Sequence, residues 1–266
     1  MVTTRKLLPG EWIFEEIPLM QGETDDMRSA SFVAMKLAEL SKNKRKKFNR
    51  LCNMFPELND VGIVKTNCYG LGCDNFLSGV FDKLSYLNHS CRPNAERWWQ
   101  PERGVETVYA IREIPEGEEI TIAYSGVYDM AREERQSHLL RGWRFECSCE
   151  CCELTGPERA LSDKSRRLIA KVDRMVGTVS YEPQRLLPLI LEALECCEKE
   201  ALFGAPQARI CYDGYQLALK MRDLMQAKKF IKRAYEQHLM GTGPESPETK
   251  KMLAYDQDPT SHPMWD

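Results

Sequence analysis

The chain has 266 residues and a net charge of −3, and hydrophobic and charged residues make up 42% and 29% of it. This composition is ordinary for a globular protein of one large or two small domains, and the near-neutral charge gives no reason to expect direct nucleic-acid binding. The basic run 42–47 is interpreted as the exposed face of a helix rather than a nucleic-acid patch. No apolar stretch approaches the roughly 20 residues of a transmembrane helix, so we expect no membrane partner.

The first half of the chain predicts short β-strands separated by turns. The segment 12–14 follows a Pro-Gly turn and is expected to be a strand, and residues 62–67 are expected to form another. Residues 22–60 are expected to hold a helical insertion, because apolar residues recur there at helical spacing. The segments 105–111 and 119–124, on either side of a Pro-Glu-Gly turn, complete the predicted strands.

The second half predicts helices, so the fold class is α+β. Residues 157–243 are expected to form a helical domain, interrupted by glycine and proline. Its predicted helices are 162–176, 184–203, 207–221 and 224–240. The last two resemble one tetratricopeptide-like helix pair. Four prolines within 244–266 predict an irregular tail.

Eleven cysteines are present, and Cys147, Cys149, Cys151 and Cys152 fall within six residues. Residues 1–10 lack the apolar core of a signal peptide, so we expect the nucleus and/or cytoplasm, where disulfides are disfavoured. A structural zinc site needs four tetrahedral ligands. Spacing leaves open whether the fourth is Cys151 or a distant residue, and the alternative is a group of ordinary thiols.

A second polar cluster runs from Asn88 to Asn94, with the sequence Asn-His-Ser-Cys-Arg-Pro-Asn, directly after apolar Leu84 and Leu87. Taken alone, Asn88 and His89 are explained by a turn whose side chains bond to the backbone. The remaining sequence favours a functional explanation.

Three segments in this order resemble a SET-domain protein-lysine methyltransferase. They are residues 88–94, the Gly-Glu-Glu-Ile-Thr-Ile-Ala-Tyr run 117–124, and 135–152, which includes Phe145 and the cysteine cluster. The nearest subgroup is the SET-and-MYND type, including fungal proteins without the MYND finger. Residues 7–160 carry the resemblance.

The resemblance implies a SET domain at 1–142, whose sheets form a pseudoknot, and a zinc-bound post-SET loop at 143–156. It also implies S-adenosylmethionine as cofactor. The cofactor contacts carried over from the family motifs are Asn67, Asn88, His89, Tyr124 and Phe145. Tyr124 would be the catalytic tyrosine beside the transferring methyl, in preference to an ordinary strand aromatic. Phe145 would pack on the adenine.

The resemblance also supplies the fourth zinc ligand. Cys91 would join Cys147, Cys149 and Cys152 around one Zn²⁺, and Cys151 would be a spare. One metal would then tie the post-SET loop to the polar cluster.

Two features depart from the family pattern. Residues 1–5 match what usually follows a Gly-x-Gly strand that lines the cofactor, and that strand itself is missing from the sequence. Trp143 stands where the subgroup usually has tyrosine and would line the lysine channel. A bulkier indole would narrow that channel or change the number of methyl groups added.

The expected function is therefore methyl transfer from S-adenosylmethionine to a lysine of a histone or non-histone protein, by a monomer. The missing strand supports an alternative, in which a weakened or inactive SET scaffold binds protein partners through its helical C-terminal domain. Affinity for S-adenosylmethionine would separate the two.

Overall fold

The computed structural model describes residues 1–72, 76–124, 126–177 and 182–265. The strands are β1 (Trp12–Glu16), β2 (Met20–Glu23), β3 (Cys68–Leu71), β4 (Leu77–Val80), β5 (Asn88–His89), β6 (Ala95–Gln100), β7 (Val105–Ala110) and β8 (Thr121–Ile122). The helices are α1 (Ala30–Glu39), α2 (Lys42–Phe48), α3 (Asp60–Asn67), α4 (Arg132–Trp143), α5 (Glu150–Glu153), α6 (Gly156–Val176), α7 (Pro183–Lys199), α8 (Ala205–Lys220), α9 (Leu224–Thr242) and α10 (Pro247–Gln257).

The strands form three small sheets packed around one apolar core, in agreement with the α+β prediction. Helices α1 to α3 are inserted between β2 and β3, and α4 to α10 follow the strands. Two sheets are antiparallel, in the orders β1-β7-β6 and β2-β4-β3, and the third pairs β5 with β8 in parallel. Phe81, Leu84, Val108 and Ile122 are buried between them. This packing brings the two predicted motif strands side by side, although β8 covers only two residues of the predicted 119–124 strand.

The predicted strand at 62–67 is wrong, because these residues belong to helix α3. Thr66 Oγ1 and Asn67 Nδ2 each donate to the carbonyl oxygen four residues earlier, at 2.8 Å, and Val64 is buried. Gly62 lies against Phe55, and an added Cβ would come within 2.1 Å of the Phe55 carbonyl oxygen. Packing has overridden the strand preference of the β-branched residues. The helical insertion therefore runs to Asn67, beyond the predicted limit of 60.

The four helices predicted in the second half are present as α6 to α9. They share a core that includes Ile190, Cys197, Cys211, Tyr215 and Ile231. Helices α8 and α9 pack along each other, with Gly214 against the Phe230 ring. The likeness to a tetratricopeptide unit stays a prediction.

The prediction of an irregular tail at 244–266 is wrong for most of its length. Pro247 occupies the first turn of α10, where no backbone N–H is needed, and the Ser246 hydroxyl accepts from Thr249 N. Pro259 begins a short 3₁₀ helix and its carbonyl oxygen accepts a 2.8 Å bond from the Tyr215 hydroxyl. These prolines therefore start helices instead of preventing them.

The helical half is attached to the strand half through β6. The buried Glu96 carboxylate accepts a 3.0 Å hydrogen bond from Ala205 N, at the first turn of α8. Gln100 Nε2 donates to the Thr242 carbonyl oxygen at 3.3 Å. Among residues 1–72, 76–124, 126–177 and 182–265, we find no helix with the length and apolarity needed to cross a membrane.

Candidate active site

His89 lies at the junction of β5 and β8, and both of its ring nitrogens have partners. Nδ1 accepts a 3.0 Å hydrogen bond from Tyr124 N, and Nε2 lies 3.3 Å from Cys91 Sγ. Burial lowers the His89 pKa to about 4, so the ring is neutral. Because Nδ1 accepts, the proton resides on Nε2 and is donated to the sulfur. The predicted cofactor contact of His89 is thereby restricted to its ring face and backbone.

Tyr124 stands at the centre of an aromatic cluster. Its ring centroid lies 5.3 Å from His89, 5.1 Å from Trp143 and 6.2 Å from Phe145. Its hydroxyl donates to the Leu87 carbonyl oxygen at 3.1 Å. Burial raises the Tyr124 pKa to about 12, so the hydroxyl stays protonated at neutral pH and is no general base.

One side of Tyr124 faces a cavity of about 290 Å³. Six of the described residues that line it are aromatic: Tyr69, Trp98, Trp99, Tyr124, Tyr128 and Trp143. Arg97 also lines the cavity, but its guanidinium forms a 2.7 Å ion pair with buried Glu106 and donates to the Gly70 carbonyl oxygen at 3.2 Å. Glu96 lines the cavity as well, so the wall combines aromatic rings with a buried acid and an ion-paired arginine.

The other predicted cofactor residues lie outside the lining of this cavity. Phe145 is half-buried, with its centroid 6.2 Å from those of both His89 and Tyr124. Asn88 is exposed and donates to Glu119 Oε1 at 2.6 Å. Asn67 is buried, and its Nδ2 donates to the carbonyl oxygens of Cys52 and Ile63, which leaves its amide oxygen for another partner. The structure thus brings Phe145 to Tyr124, with Trp143 on the cavity wall.

The structure brings together the four cysteines predicted as metal ligands. The sulfur atoms of Cys91, Cys147, Cys149 and Cys152 all lie within 4.8 Å of one another, and Cys91 Sγ is 3.6 Å from Cys152 Sγ and 4.0 Å from Cys147 Sγ. A tetrahedral zinc with Zn–S bonds of about 2.3 Å places its sulfur atoms about 3.8 Å apart. The cluster therefore fits zinc in ligand type, number and spacing.

Hydrogen-bond donors surround these sulfur atoms. Cys91 N donates to Cys149 Sγ at 3.5 Å, and the wholly buried Arg135 guanidinium lies 3.9 Å from Cys152 Sγ. Such donors stabilise thiolates and orient metal ligands. Cys151 is directed away from the cluster, with its sulfur 3.3 Å from Arg135 Nη2 and 3.5 Å from Arg166 Nη2.

Known proteins of similar sequence point to one family. Residues 1–125 match the sequence model of the SET domain. The histone-lysine N-methyltransferase set5 of Schizosaccharomyces pombe is 28% identical over 266 residues, which cover 99% of this chain and 82% of that protein. Residues 1–125 thus match a SET domain, and the similarities support a SET-domain protein-lysine methyltransferase. The histone-lysine N-methyltransferase SMYD3 of Mus musculus is 32% identical over 144 residues, 50% of this chain and 29% of that protein.

The SET-domain match ends one residue after Tyr124, so Phe145 and three of the four clustered cysteines lie beyond it. Sequence reasoning still singled out these residues, through their resemblance to the family, and the structure brings the four sulfur atoms together. That reasoning missed Tyr69, Trp98, Trp99 and Tyr128 as cavity-lining residues. They come from separate segments, and aromatic character was the one signal that marked them.

Proposed function

We propose that this SET-domain methyltransferase transfers a methyl group from S-adenosylmethionine to the side-chain amine of a lysine in a protein substrate. The observation that carries the proposal is the position of Tyr124. Its ring lines the cavity and also contacts the rings of His89 and Phe145, which do not line it, and its hydroxyl donates to Leu87. Methyl donor and lysine would therefore meet at this ring from opposite sides.

The residues present fit the donor molecule. S-adenosylmethionine supplies an activated methyl group on a cationic sulfonium. The rings of Tyr124, Trp143 and Phe145 form an environment that attracts a cation. Phe145 is half-buried and offers a ring on which adenine can pack, and exposed Asn88 and the free amide oxygen of Asn67 offer polar contacts.

The chain's own residues would prepare the lysine by position and desolvation. The Tyr124 hydroxyl donates to Leu87, so its oxygen is left to accept a hydrogen bond from the substrate amine. The aromatic walls exclude water and favour the neutral, nucleophilic amine. Since the paired Arg97 carries little unbalanced charge, it would not oppose entry of the lysine.

The cysteine cluster would hold one Zn²⁺. Cys91 follows β5, whereas the other three ligands lie in the loop after α4. The metal would therefore bind this post-SET loop to the motif strand and keep Phe145 beside Tyr124.

The relatives' names suggest histones as the first substrates to test. The full-length protein is incubated with methyl-labelled S-adenosylmethionine and either core histones or the proteins of a cell extract, and labelled lysines are located by mass spectrometry. Tyr124→Phe should reduce transfer on the order of a hundredfold while keeping its zinc. Tyr86→Phe, an exposed tyrosine outside the cavity, is the matched control.

Absence of label in every protein would overturn the proposed activity and leave the scaffold alternative. No observation on the described residues favours that alternative. The proposal includes a monomeric protein, which light scattering would check. It also includes a location in the nucleus and/or cytoplasm, which imaging of the tagged protein would check.

A further inference from the structure

Arg166, in helix α6, is wholly buried, although arginine is rarely found without solvent access. A guanidinium has five N–H donors, and all five have an acceptor here. Nε donates to Glu200 Oε2 at 3.0 Å. Nη1 donates to the carbonyl oxygens of Val127 (3.4 Å) and Tyr128 (2.9 Å), and Nη2 to the Cys91 carbonyl oxygen (2.9 Å) and Cys151 Sγ (3.5 Å).

Three of these acceptors, on Val127, Tyr128 and Cys91, belong to the two segments that shape the candidate active site. Val127 and Tyr128 follow shortly after Tyr124, and the Tyr128 side chain lines the aromatic cavity. Cys91 belongs to the cysteine cluster and accepts the His89 hydrogen bond. A single side chain from the helical half thus connects the cavity wall to the turn that follows β5.

Glu200 completes the arrangement at the end of α7. It is 3% exposed, and it also accepts a 2.8 Å bond from the Ser162 hydroxyl and forms a 3.2 Å ion pair with Arg92. A buried ion pair contributes little net stability, because desolvation of both charges offsets their attraction. The pair instead holds the Arg166 guanidinium in one orientation, in which its five N–H donors point at their acceptors.

We propose that Arg166, oriented by Glu200, is a positioning residue through which the helical C-terminal half sets the geometry of the lysine cavity. This inference rests on the proposed methyl transfer. Arg166 does not touch substrate or cofactor; it acts through the carbonyl groups of Val127 and Tyr128.

Arg166→Lys in the full-length protein is the first test. Lysine keeps the charge, but its three donors on a flexible stem cannot serve five acceptors. We expect the amides of residues 126–131 to exchange hydrogen for deuterium faster, while strands β6 and β7 keep their protection. We also expect kcat/KM for a substrate peptide to fall on the order of tenfold to a hundredfold, with KM raised, because the cavity wall is displaced.

Ile190→Ala is the matched control, since Ile190 is buried in the helical core and has no part in the cavity. It should lower the melting temperature without changing KM or the exchange of 126–131. Glu200→Gln is the second variant, used if Arg166→Lys does not fold. It keeps all five arginine donors but removes the counter-charge, so the same changes should appear in smaller degree.

Faster exchange confined to 126–131 with a raised KM supports the inference. The inference is overturned if a folded Arg166→Lys protein has the wild-type hydrogen exchange and KM. If only Glu200→Gln folds, the same result in that variant overturns it. The inference is also overturned if Ile190→Ala speeds exchange in 126–131 and raises KM. The exchange measurement needs no turnover, so it tests the positioning role even if the wild-type protein transfers no methyl group.

Discussion

At the scale of single residues, the role of Tyr124 depends on the protonation state of its hydroxyl at neutral pH. Its pKa is raised to about 12 by burial, and its proton is donated to Leu87. The proton that a lysine must lose therefore does not go to Tyr124. The amine has to lose its proton to solvent before it is enclosed in the cavity.

This assignment predicts the pH dependence of the reaction. A free lysine has a pKa near 10.4, so only about one in 2,500 is neutral at pH 7. We expect kcat/KM on a peptide lysine to rise about tenfold per pH unit between pH 7 and 9, because Tyr124 does not titrate in that range. Initial rates in constant-ionic-strength buffers measure this. A flat profile would show that amine deprotonation does not limit the reaction.

The size of the Trp143 side chain is expected to limit how many methyl groups are added. Its ring lies 5.1 Å from Tyr124 and lines the cavity. Trp143→Tyr removes part of the indole, so the enlarged cavity should admit an already methylated amine and shift products toward higher methylation states. Mass spectrometry of the product peptide measures the distribution. Trp12→Tyr, at an exposed tryptophan, serves as control, and identical distributions in the two variants would exclude the role.

Short motifs made these individual residues predictable, whereas contacts between distant segments were not. Tyr124 and the four cysteines stand in short segments that resemble a known family, although spacing alone did not select Cys91 over Cys151 as the fourth metal ligand. The bonds from Arg166 to Tyr128 and Cys91 span 38 and 75 positions in the sequence, and no local pattern records them.

At the scale of elements, the loop after α4 depends on the cysteine cluster. Three of the four sulfur atoms come from 147–152, and α5 within it has only four residues. So short a helix has little stability of its own. A bound metal would order it, together with bonds such as that of Gln136 Nε2 to the Cys147 carbonyl oxygen, at 2.6 Å.

We therefore expect one zinc per chain, lost in Cys152→Ser but retained in Cys151→Ser. Cys151 is the matched control, because its sulfur contacts Arg135 and Arg166 instead of joining the cluster. Elemental analysis gives the metal content. Chelation of the wild-type metal should speed hydrogen exchange in 143–155 far more than in the sheets. Zinc-free protein from a chelator-free purification, or zinc loss in both variants, would contradict the assignment.

Element prediction failed where packing or capping outweighed local preference. Residues 62–67 are rich in β-branched side chains, but they form α3 because Val64 is buried and Asn67 bonds back to Ile63. The prolines of the tail suggested irregular chain, but Pro247 begins α10. Proline is tolerated in the first turn of a helix but breaks a helix when it lies in the interior. The sequence alone does not show which of these positions a proline will occupy.

At the scale of the whole molecule, the two halves meet at a buried acid. Glu96 and Ala205 are 109 positions apart in the sequence, and the sequence offered no sign of their contact. Burial raises the Glu96 pKa to about 7, despite the opposing hydrogen bond from Ala205. Because the folded protein holds this proton more tightly than the unfolded chain, the stabilising contribution is complete below pH 4.5 and is lost as pH rises through 7.

Glu96→Gln should therefore flatten the pH dependence of stability. Between pH 5 and 8 the wild-type free energy of unfolding should decline by up to about 3 kcal/mol more than that of the variant, because glutamine needs no proton to remain neutral. Urea unfolding at each pH measures the difference. Glu102→Gln, an exposed acid in the turn after the same strand, should keep the wild-type slope. If Glu96→Gln has that slope too, the carboxyl is ionised in the folded protein, and the first turn of α8 stabilises its charge more than burial opposes it.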